Sequence, residues 1–249
     1  MSGHSKWSTI KRKKGAADAK RAKIFTRFSK EITVAVKEGN SGDPEANPRL
    51  RMAIQNAKGV NMPKDNIERA IKKGIGGDAS SYIEQTFEGY GPFGIAVFVE
   101  CLTDNQNRTV QEVRAAFTKN EGSLGTNGSL EFIFDRKGVF TLPISEGMDI
   151  EDFELEVIDG GADELIVEDK YITVTCVLED FGNLNKKFEA LGVEPENAEL
   201  QRIPNTTQSL NDEAFQKVMK LIDTLEDNDD VQQVWHNLEV GDGQEELLS

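Results

Sequence analysis

The chain has 249 residues, of which 37% are hydrophobic and 29% charged, and its formal net charge is −15. This length predicts more than one hydrophobic core, and the longest apolar run, Gly94 to Val99, is too short to cross a membrane. Two cysteines exclude a disulfide framework and a four-cysteine zinc site. The basic N-terminus has no apolar stretch behind it, so we expect neither a secretory signal nor a membrane partner.

The charge is divided unequally along the chain. Residues 1–74 contain 18 lysines and arginines against 7 aspartates and glutamates, whereas residues 75–249 contain 11 against 37. A basic end on an acidic chain is the usual electrostatic footprint of polyanion binding. We therefore expect residues 1–74 to bind nucleic acid and the acidic remainder to contact protein.

The basic end begins with an arm that is poor in apolar residues. Trp7 lies within it and fits either of two roles, stacking on a base or anchoring the arm onto a core. The cations of the arm surround Trp7 and are Lys6, Lys11, Arg12, Lys13 and Lys14.

Residues 17–38 are predicted to form an amphipathic helix that ends near Gly39. At about 100° per residue, one stripe of this helix is apolar and faces a core. A second stripe is basic, and we expect it to meet phosphates. The apolar stripe is Phe25, Phe28, Ile32 and Val36, and the basic stripe is Lys20, Lys23, Arg27 and Lys30.

Two shorter helices complete a predicted three-helix bundle. Asn47-Pro48 is typical of a helix start, and Pro63 opens the next helix, which we expect to end at Gly74. The second helix offers three cations and two amides to a ligand, the amides being candidates for reading adenine. These residues are Arg49, Arg51 and Lys58, with Gln55 and Asn56.

The acidic part predicts two α/β elements. Residues 138–203 follow the strand, helix, strand, strand, helix, strand order of a ferredoxin-like fold. Its predicted strands are Val139–Leu142, Glu164–Glu168, Tyr171–Leu178 and Ala198–Arg202, and its helices are Asp149–Asp159 and Asp180–Leu191. The flanking sequence predicts strands at Tyr82–Glu88, Ile95–Leu102, Leu130–Phe134 and Val231–Leu238, a turn at 89–92, a helix starting at Asn107 or Thr109, and a helix at 211–227.

The last predicted strand lacks a partner nearby in sequence, which indicates that the flanking segments form one domain around an insertion. We therefore predict a basic helical domain at residues 1–77, an α/β domain at 78–137 plus 207–249, and an inserted ferredoxin-like domain at 138–206. The fold class is multi-domain, α and α+β.

No pattern indicates catalysis, so we predict a protein that is not an enzyme and needs no cofactor or metal. The chain has no Walker motif, and we expect Cys101 and Cys176 to be small core residues. The acidic run at residues 226–230 lacks the glycine and terminal glutamate of a calcium loop. We interpret it as a solvated helix end.

Several strings resemble the YebC/PmpR family along nearly the whole chain. They are Gly3-His4-Ser5-Lys6-Trp7, Lys23-Ile24-Phe25-Thr26, Asn47-Pro48-Arg49-Leu50-Arg51, Asn61-Met62-Pro63-Lys64-Asp65-Asn66, Glu88-Gly89-Tyr90-Gly91-Pro92, Glu100-Cys101-Leu102-Thr103-Asp104-Asn105 and Phe134-Asp135-Arg136-Lys137-Gly138. The resemblance implies a cytoplasmic bacterial or organellar protein of three domains, the third inserted into the second. It also implies one of two roles, a transcriptional regulator that binds promoter DNA or a ribosome-associated translation factor that relieves stalling.

Overall fold

The computed structural model describes residues 18–76, 82–168, 170–241 and 243–248, with the backbone alone at 18–20 and 248. The chain divides into two compact units. The first contains the described residues within Met1–Lys30, Gly76–Asp135 and Ile203–Ser249, and the second contains Glu31–Ile75 and Arg136–Arg202. Among the helices in these ranges, none combines the length and the apolar character that crossing a membrane requires.

The described ranges contain seven α-helices and ten strands, which confirms a mixed α/β protein. The helices are α1 (Asp18–Gly39), α2 (Pro48–Gly59), α3 (Lys64–Ile75), α4 (Gln106–Lys119), α5 (Ile150–Asp159), α6 (Phe181–Leu191) and α7 (Asp212–Glu226). The strands are β1 (Ile83–Tyr90), β2 (Ala96–Thr103), β3 (Ser123–Leu124), β4 (Phe134–Pro143), β5 (Ala162–Glu168), β6 (Tyr171–Val177), β7 (Asn197–Pro204), β8 (Gln208–Ser209), β9 (Val231–His236) and β10 (Leu238–Glu239).

The first unit is built on a four-stranded sheet with the order β3-β1-β2-β9. β1 and β2 form an antiparallel hairpin, and β9 pairs antiparallel with β2. Helices α4 and α7 complete the core through Val113, Phe117, Phe215 and Leu221, which pack with the apolar residues of β2. The strand that lacked a sequence neighbour thus pairs with β2, while the domain boundaries at 77, 137 and 206 stay predictions.

The second unit contains the ferredoxin-like element. Its sheet has the order β5-β6-β4-β7. Along the chain, α5 follows β4 and α6 follows β6, so the predicted ferredoxin-like fold is confirmed. The Asp149 side chain accepts hydrogen bonds from the Glu151 and Asp152 amides and caps α5. Gly192 ends α6 in the left-handed conformation, with φ 68°, where glycine carries no steric penalty.

The same unit contains α2, α3 and the second half of α1. Asn47 accepts from the Leu50 amide at 3.1 Å and donates to the Ala35 carbonyl at 2.8 Å, so the predicted cap also ties α2 to α1. Gly74 does not end α3 as expected, because α3 continues to Ile75. A Cβ at Gly74 would lie 2.6 Å from the Val36 side chain, so this glycine allows α3 to approach α1 closely.

The predicted strand at Leu130–Phe134 is wrong, because residues 127–133 form turns and β4 begins at Phe134. The buried carboxylate of Glu88 accepts hydrogen bonds from the Gly128 and Leu130 amides, both at 2.6 Å. An amide that is bonded to a carboxylate cannot donate to a strand ladder. The predicted turn at 89–92 is also shorter than expected, because β1 extends through Tyr90.

Candidate nucleic-acid interface

The predicted nucleic-acid-binding residues fall into three groups. Lys6, Trp7, Lys11, Arg12, Lys13 and Lys14 lie outside the described residues, and at Lys20 only the backbone is described. In the first unit, Lys23, Arg27 and Lys30 lie together on α1 at intervals of four and three residues. In the second unit, Arg49 and Arg51 pair with acidic side chains, and Lys58 is exposed.

The α1 cations contact residues 226–230, which we call the acidic segment. Lys23 Nζ donates to the carbonyl of Asp227 and lies 3.3 Å from its carboxylate, and Arg27 Nη2 donates to the Glu226 carbonyl at 2.6 Å. Lys30 Nζ donates to the Asp229 carbonyl at 2.8 Å, to the Asp230 carboxylate at 3.0 Å and to the Leu102 carbonyl at 3.3 Å. The stripe that we expected to face phosphates therefore meets oxygen atoms of the same chain.

Asp230 is the buried centre of this arrangement, with a side chain that is 5% exposed. Its carboxylate also accepts from Arg108 Nη2 at 2.6 Å, Thr109 Oγ1 at 2.9 Å and Thr103 Oγ1 at 3.0 Å. Burial by itself raises the pKa of Asp230, but the hydrogen bonds from Arg108, Lys30 and Thr109 outweigh it and lower the pKa to about 2. Asp230 is therefore ionised at neutral pH.

The expectation that the acidic run is a solvated helix end is wrong at Asp230. The exposed side chains of Asp227 and Asp229 fit it, but Asp230 is fully engaged with two cations and two hydroxyls. A buried carboxylate is tolerated only when such partners replace its water. The segment is thus a structural partner of α1, which no local pattern in the sequence indicates.

The amides predicted to read adenine are also used within the chain. Asn56 donates through Nδ2 to the Ala198 carbonyl and accepts through Oδ1 from the Ala198 amide, both at 2.9 Å. Gln55 Nε2 donates to the Pro195 carbonyl at 2.6 Å. Both amides are therefore engaged within the second unit, where they attach α2 to residues 195–198 at the start of β7.

We expect Asn56→Ala to lower the free energy of unfolding by about 2 kcal/mol, because two buried backbone groups of Ala198 lose their partners. Hydrogen exchange at the Ala198 amide should also become faster. Chemical denaturation and exchange mass spectrometry measure both effects. The control is Asn183→Ala, which removes an exposed amide from the same unit; an equal cost for both variants would contradict the role of Asn56.

Sequence analysis missed the exposed cations of α3. Lys64, Arg69, Lys72 and Lys73 are all exposed, whereas Ile67 and Ala70 on the other side of the helix are buried. The alternation of these apolar and basic positions is the signal that could have found them. Lys37 and Lys58 of the same unit are exposed as well.

Family models match both parts of the chain. The TACO1/YebC protein N-terminal domain matches residues 5–77, and the TACO1/YebC second and third domain matches residues 82–238. The chain belongs to the TACO1/YebC family. This confirms the resemblance that the sequence motifs carry.

Relatives in the TACO1/YebC family cover the chain almost completely. A "Probable transcriptional regulatory protein" of Amoebophilus asiaticus is 52% identical over 96% of this chain and 98% of its own length. One of the same name from Geotalea uraniireducens is 52% identical, with 97% of each chain covered. The crystal structure of the conserved hypothetical protein Aq1575 from Aquifex aeolicus is similar with a TM-score of 0.78 at 41% identity, covering 90% of this chain and 93% of that one.

The groups with nucleophilic or metal-binding chemistry are buried or dispersed in the described residues of this TACO1/YebC protein. Cys101 and Cys176 are buried free thiols. Burial raises the pKa of Cys101 to about 12 and that of Cys176 to about 11, so both are protonated at neutral pH. Within the described ranges, no group of three or more His, Cys, Asp or Glu side chains could hold a metal ion.

Proposed function

We propose that this protein is a non-enzymatic, cytoplasmic regulator of gene expression that binds nucleic acid, and specifically a transcriptional regulator that binds DNA. The observation that carries the proposal is the uneven distribution of charge along the chain. Residues 1–74 contain 18 lysines and arginines against 7 aspartates and glutamates, whereas the rest of the chain is acidic. The names of the relatives from Amoebophilus asiaticus and Geotalea uraniireducens agree with this role.

Phosphate contacts are the chemistry that these cations support best. Lysine and arginine side chains replace condensed counterions on a nucleic-acid backbone, and the release of those ions drives binding. We assign the first contacts to the cations of residues 6–14 and to the exposed cations of α2 and α3. Partners for the acidic domains would be proteins, because carboxylates repel a phosphate backbone.

A second candidate function is a ribosome-associated translation factor that contacts ribosomal RNA. The internal hydrogen bonds of Gln55 and Asn56 favour it, because these amides are not available to read base edges. Binding that rests on phosphates and shape suits folded RNA, whose deep major groove side chains cannot read. Sequence-specific DNA recognition would require other side chains.

We expect alanine substitution of Lys11, Arg12, Lys13 and Lys14 to weaken binding and to flatten its salt dependence. The slope of log K against log salt concentration is negative, and each lost phosphate contact makes it shallower by about 0.9 for duplex DNA. Fluorescence anisotropy with a DNA duplex and with a ribosomal RNA fragment, each titrated at several salt concentrations, measures this slope.

The matched control replaces four exposed lysines of the acidic part with alanine, Lys170, Lys186, Lys217 and Lys220. It removes the same charge from another surface, so its slope should stay at the wild-type value. Equal affinity of the wild type and the arm variant for both probes would contradict the proposal.

Sedimentation distinguishes the two candidates. In a sucrose gradient of cell lysate at near-physiological salt, a DNA-binding regulator should stay near the top after nuclease treatment of the chromosomal DNA. Co-migration with a ribosomal subunit that is lost in the arm variant would instead favour the translation factor.

A further inference from the structure

The basic stripe of α1 is occupied by a segment that offers the same chemistry as a phosphate backbone. Lys23, Arg27 and Lys30 bind oxygen atoms of four of the five residues of the acidic segment, Glu226, Asp227, Asp229 and Asp230. Three of the contacts are to backbone carbonyls and two to carboxylates. Each N–H group that donates to one of these oxygens is not available to a phosphate at the same time.

The outer part of this contact is weakly held. The Asp227 side chain is 83% exposed, and ion pairs with exposed partners contribute little because water and salt screen them. Arg27 is incompletely hydrogen-bonded in this contact. Its Nε is buried without a hydrogen-bond partner, and its Nη2 bonds only to a carbonyl. Burial lowers the pKa of Arg27, although the nearby carboxylates of Glu226, Asp227 and Asp229 act in the opposite direction.

A phosphate would satisfy Arg27 better than the acidic segment does. The guanidinium fork binds phosphate oxygens in a bidentate manner, using the Nε that the segment leaves unsatisfied. Asp230, in contrast, keeps Arg108, Thr103 and Thr109 as partners when Lys30 leaves. The inner end of the segment is therefore held by several buried partners. Its outer end is held by side-chain bonds from Lys23 and from Arg27 and by one between Asn228 and Glu112.

We propose that the acidic segment is an autoinhibitory element that competes with a phosphodiester backbone for the basic stripe of α1. In the closed state Lys23, Arg27 and Lys30 bind residues 226–230, and nucleic acid is held only by the other cations of residues 1–74. In the open state the stripe binds phosphates and residues 226–229 are released. This inference rests on the proposed nucleic-acid binding and adds a regulatory step to it.

Weakening the closed state should raise the affinity for nucleic acid. The observed affinity is the intrinsic affinity multiplied by the fraction of molecules in the binding-competent, open state. A larger open fraction therefore gives tighter binding. We expect the double variant Asp227→Asn with Asp229→Asn to bind a 20-base-pair DNA duplex about tenfold more tightly than the wild type. It keeps Asp230, and both substituted side chains are exposed.

The matched control is Glu131→Gln with Asp135→Asn, two exposed carboxylates of the same unit. It removes the same charge away from α1 and should change affinity by less than about threefold through long-range electrostatics. Equal gains in the two double variants would overturn the inference while leaving nucleic-acid binding intact. Absence of binding by the wild type to both DNA and ribosomal RNA at low salt would overturn the proposed function and this inference with it.

Hydrogen exchange gives an independent readout on the full-length protein. Without nucleic acid, the Asp227→Asn, Asp229→Asn variant should exchange faster than the wild type over residues 21–30, whereas the control variant should not. Adding the duplex to the wild type should increase exchange in residues 226–229, because the segment loses its cations. Binding with unchanged exchange there would overturn the inference, and the same measurement with a ribosomal RNA hairpin shows which backbone opens the segment.

Discussion

Replacing Asp230 with asparagine is expected to lower the free energy of unfolding of the first unit by about 3 kcal/mol. The substitution preserves shape but leaves Lys30, whose side chain is 13% exposed, without its carboxylate. Asparagine has a single acceptor oxygen, so it cannot accept both from Lys30 on one side and from Thr103 and Thr109 on the other. Breaking one side of a buried ionic network costs more than forming it gains, because the remaining charges have lost their water.

Chemical denaturation followed by the fluorescence of buried Trp235 measures this cost in the first unit, in a Trp7→Phe background that removes the other tryptophan. The control is Asp104→Asn, because Asp104 pairs with the same Arg108 but is 43% exposed. Exposed pairs contribute at most about 1 kcal/mol. A similar cost for both variants would contradict the central role of Asp230.

The lowered pKa of Asp230 also leads to a prediction of how the free energy of unfolding changes with pH. Its pKa is lowered in the folded protein from 3.8 to about 2, so its ionised form stabilises the fold. That contribution is complete above about pH 4 and is lost as pH falls towards 2, and a shift of this size corresponds to about 2–3 kcal/mol. The difference in stability between the wild type and Asp230→Asn should therefore be largest at neutral pH and shrink steadily below pH 4.

Local signals were sufficient for most of the fold because they act within a few residues. The apolar spacing of α1, the Asn47 and Asp149 caps and the Gly192 stop all lie inside or next to the helix that they define. The ferredoxin-like order followed from the sequence of elements alone. The error at Leu130–Phe134 arose because the amides of Leu130 and of the preceding Gly128 bond to Glu88, a residue on another strand.

The candidate interface was less predictable. A helical pattern shows on which face of the helix a side chain lies, but it does not show which part of the chain packs against that face. Lys30 and Asp230 are 200 residues apart in sequence, and this chain has 44 acidic residues that could have paired with α1. The internal use of Gln55 and Asn56 has the same cause, since Pro195 and Ala198 are distant in sequence. Charge alone located the basic end but could not show which of its cations are bonded within the chain.

The attachment of α2 to the start of β7 predicts the second large effect, at Gly59. A methyl group on Gly59 would lie less than 3.0 Å from the backbone carbonyl oxygen of Glu196. A backbone atom cannot rotate away as a side chain can, so α2 and residues 195–198 must separate. We expect Gly59→Ala to cost about 3 kcal/mol, at the upper end of overpacking effects, and to weaken the bonds of Gln55 and Asn56 nearby.

The same substitution at Gly182 separates this steric effect from the chemistry of the change. Gly182 lies in α6 of the same unit, and a Cβ there meets nothing within 4 Å. Gly182→Ala should therefore stabilise the protein by about 0.5 kcal/mol, because alanine loses less conformational freedom on folding than glycine does. Calorimetric unfolding of both variants tests whether Gly59→Ala lowers the free energy of unfolding while Gly182→Ala raises it. If Gly59→Ala were neutral, the close contact between α2 and Glu196 would not contribute to the stability of the protein.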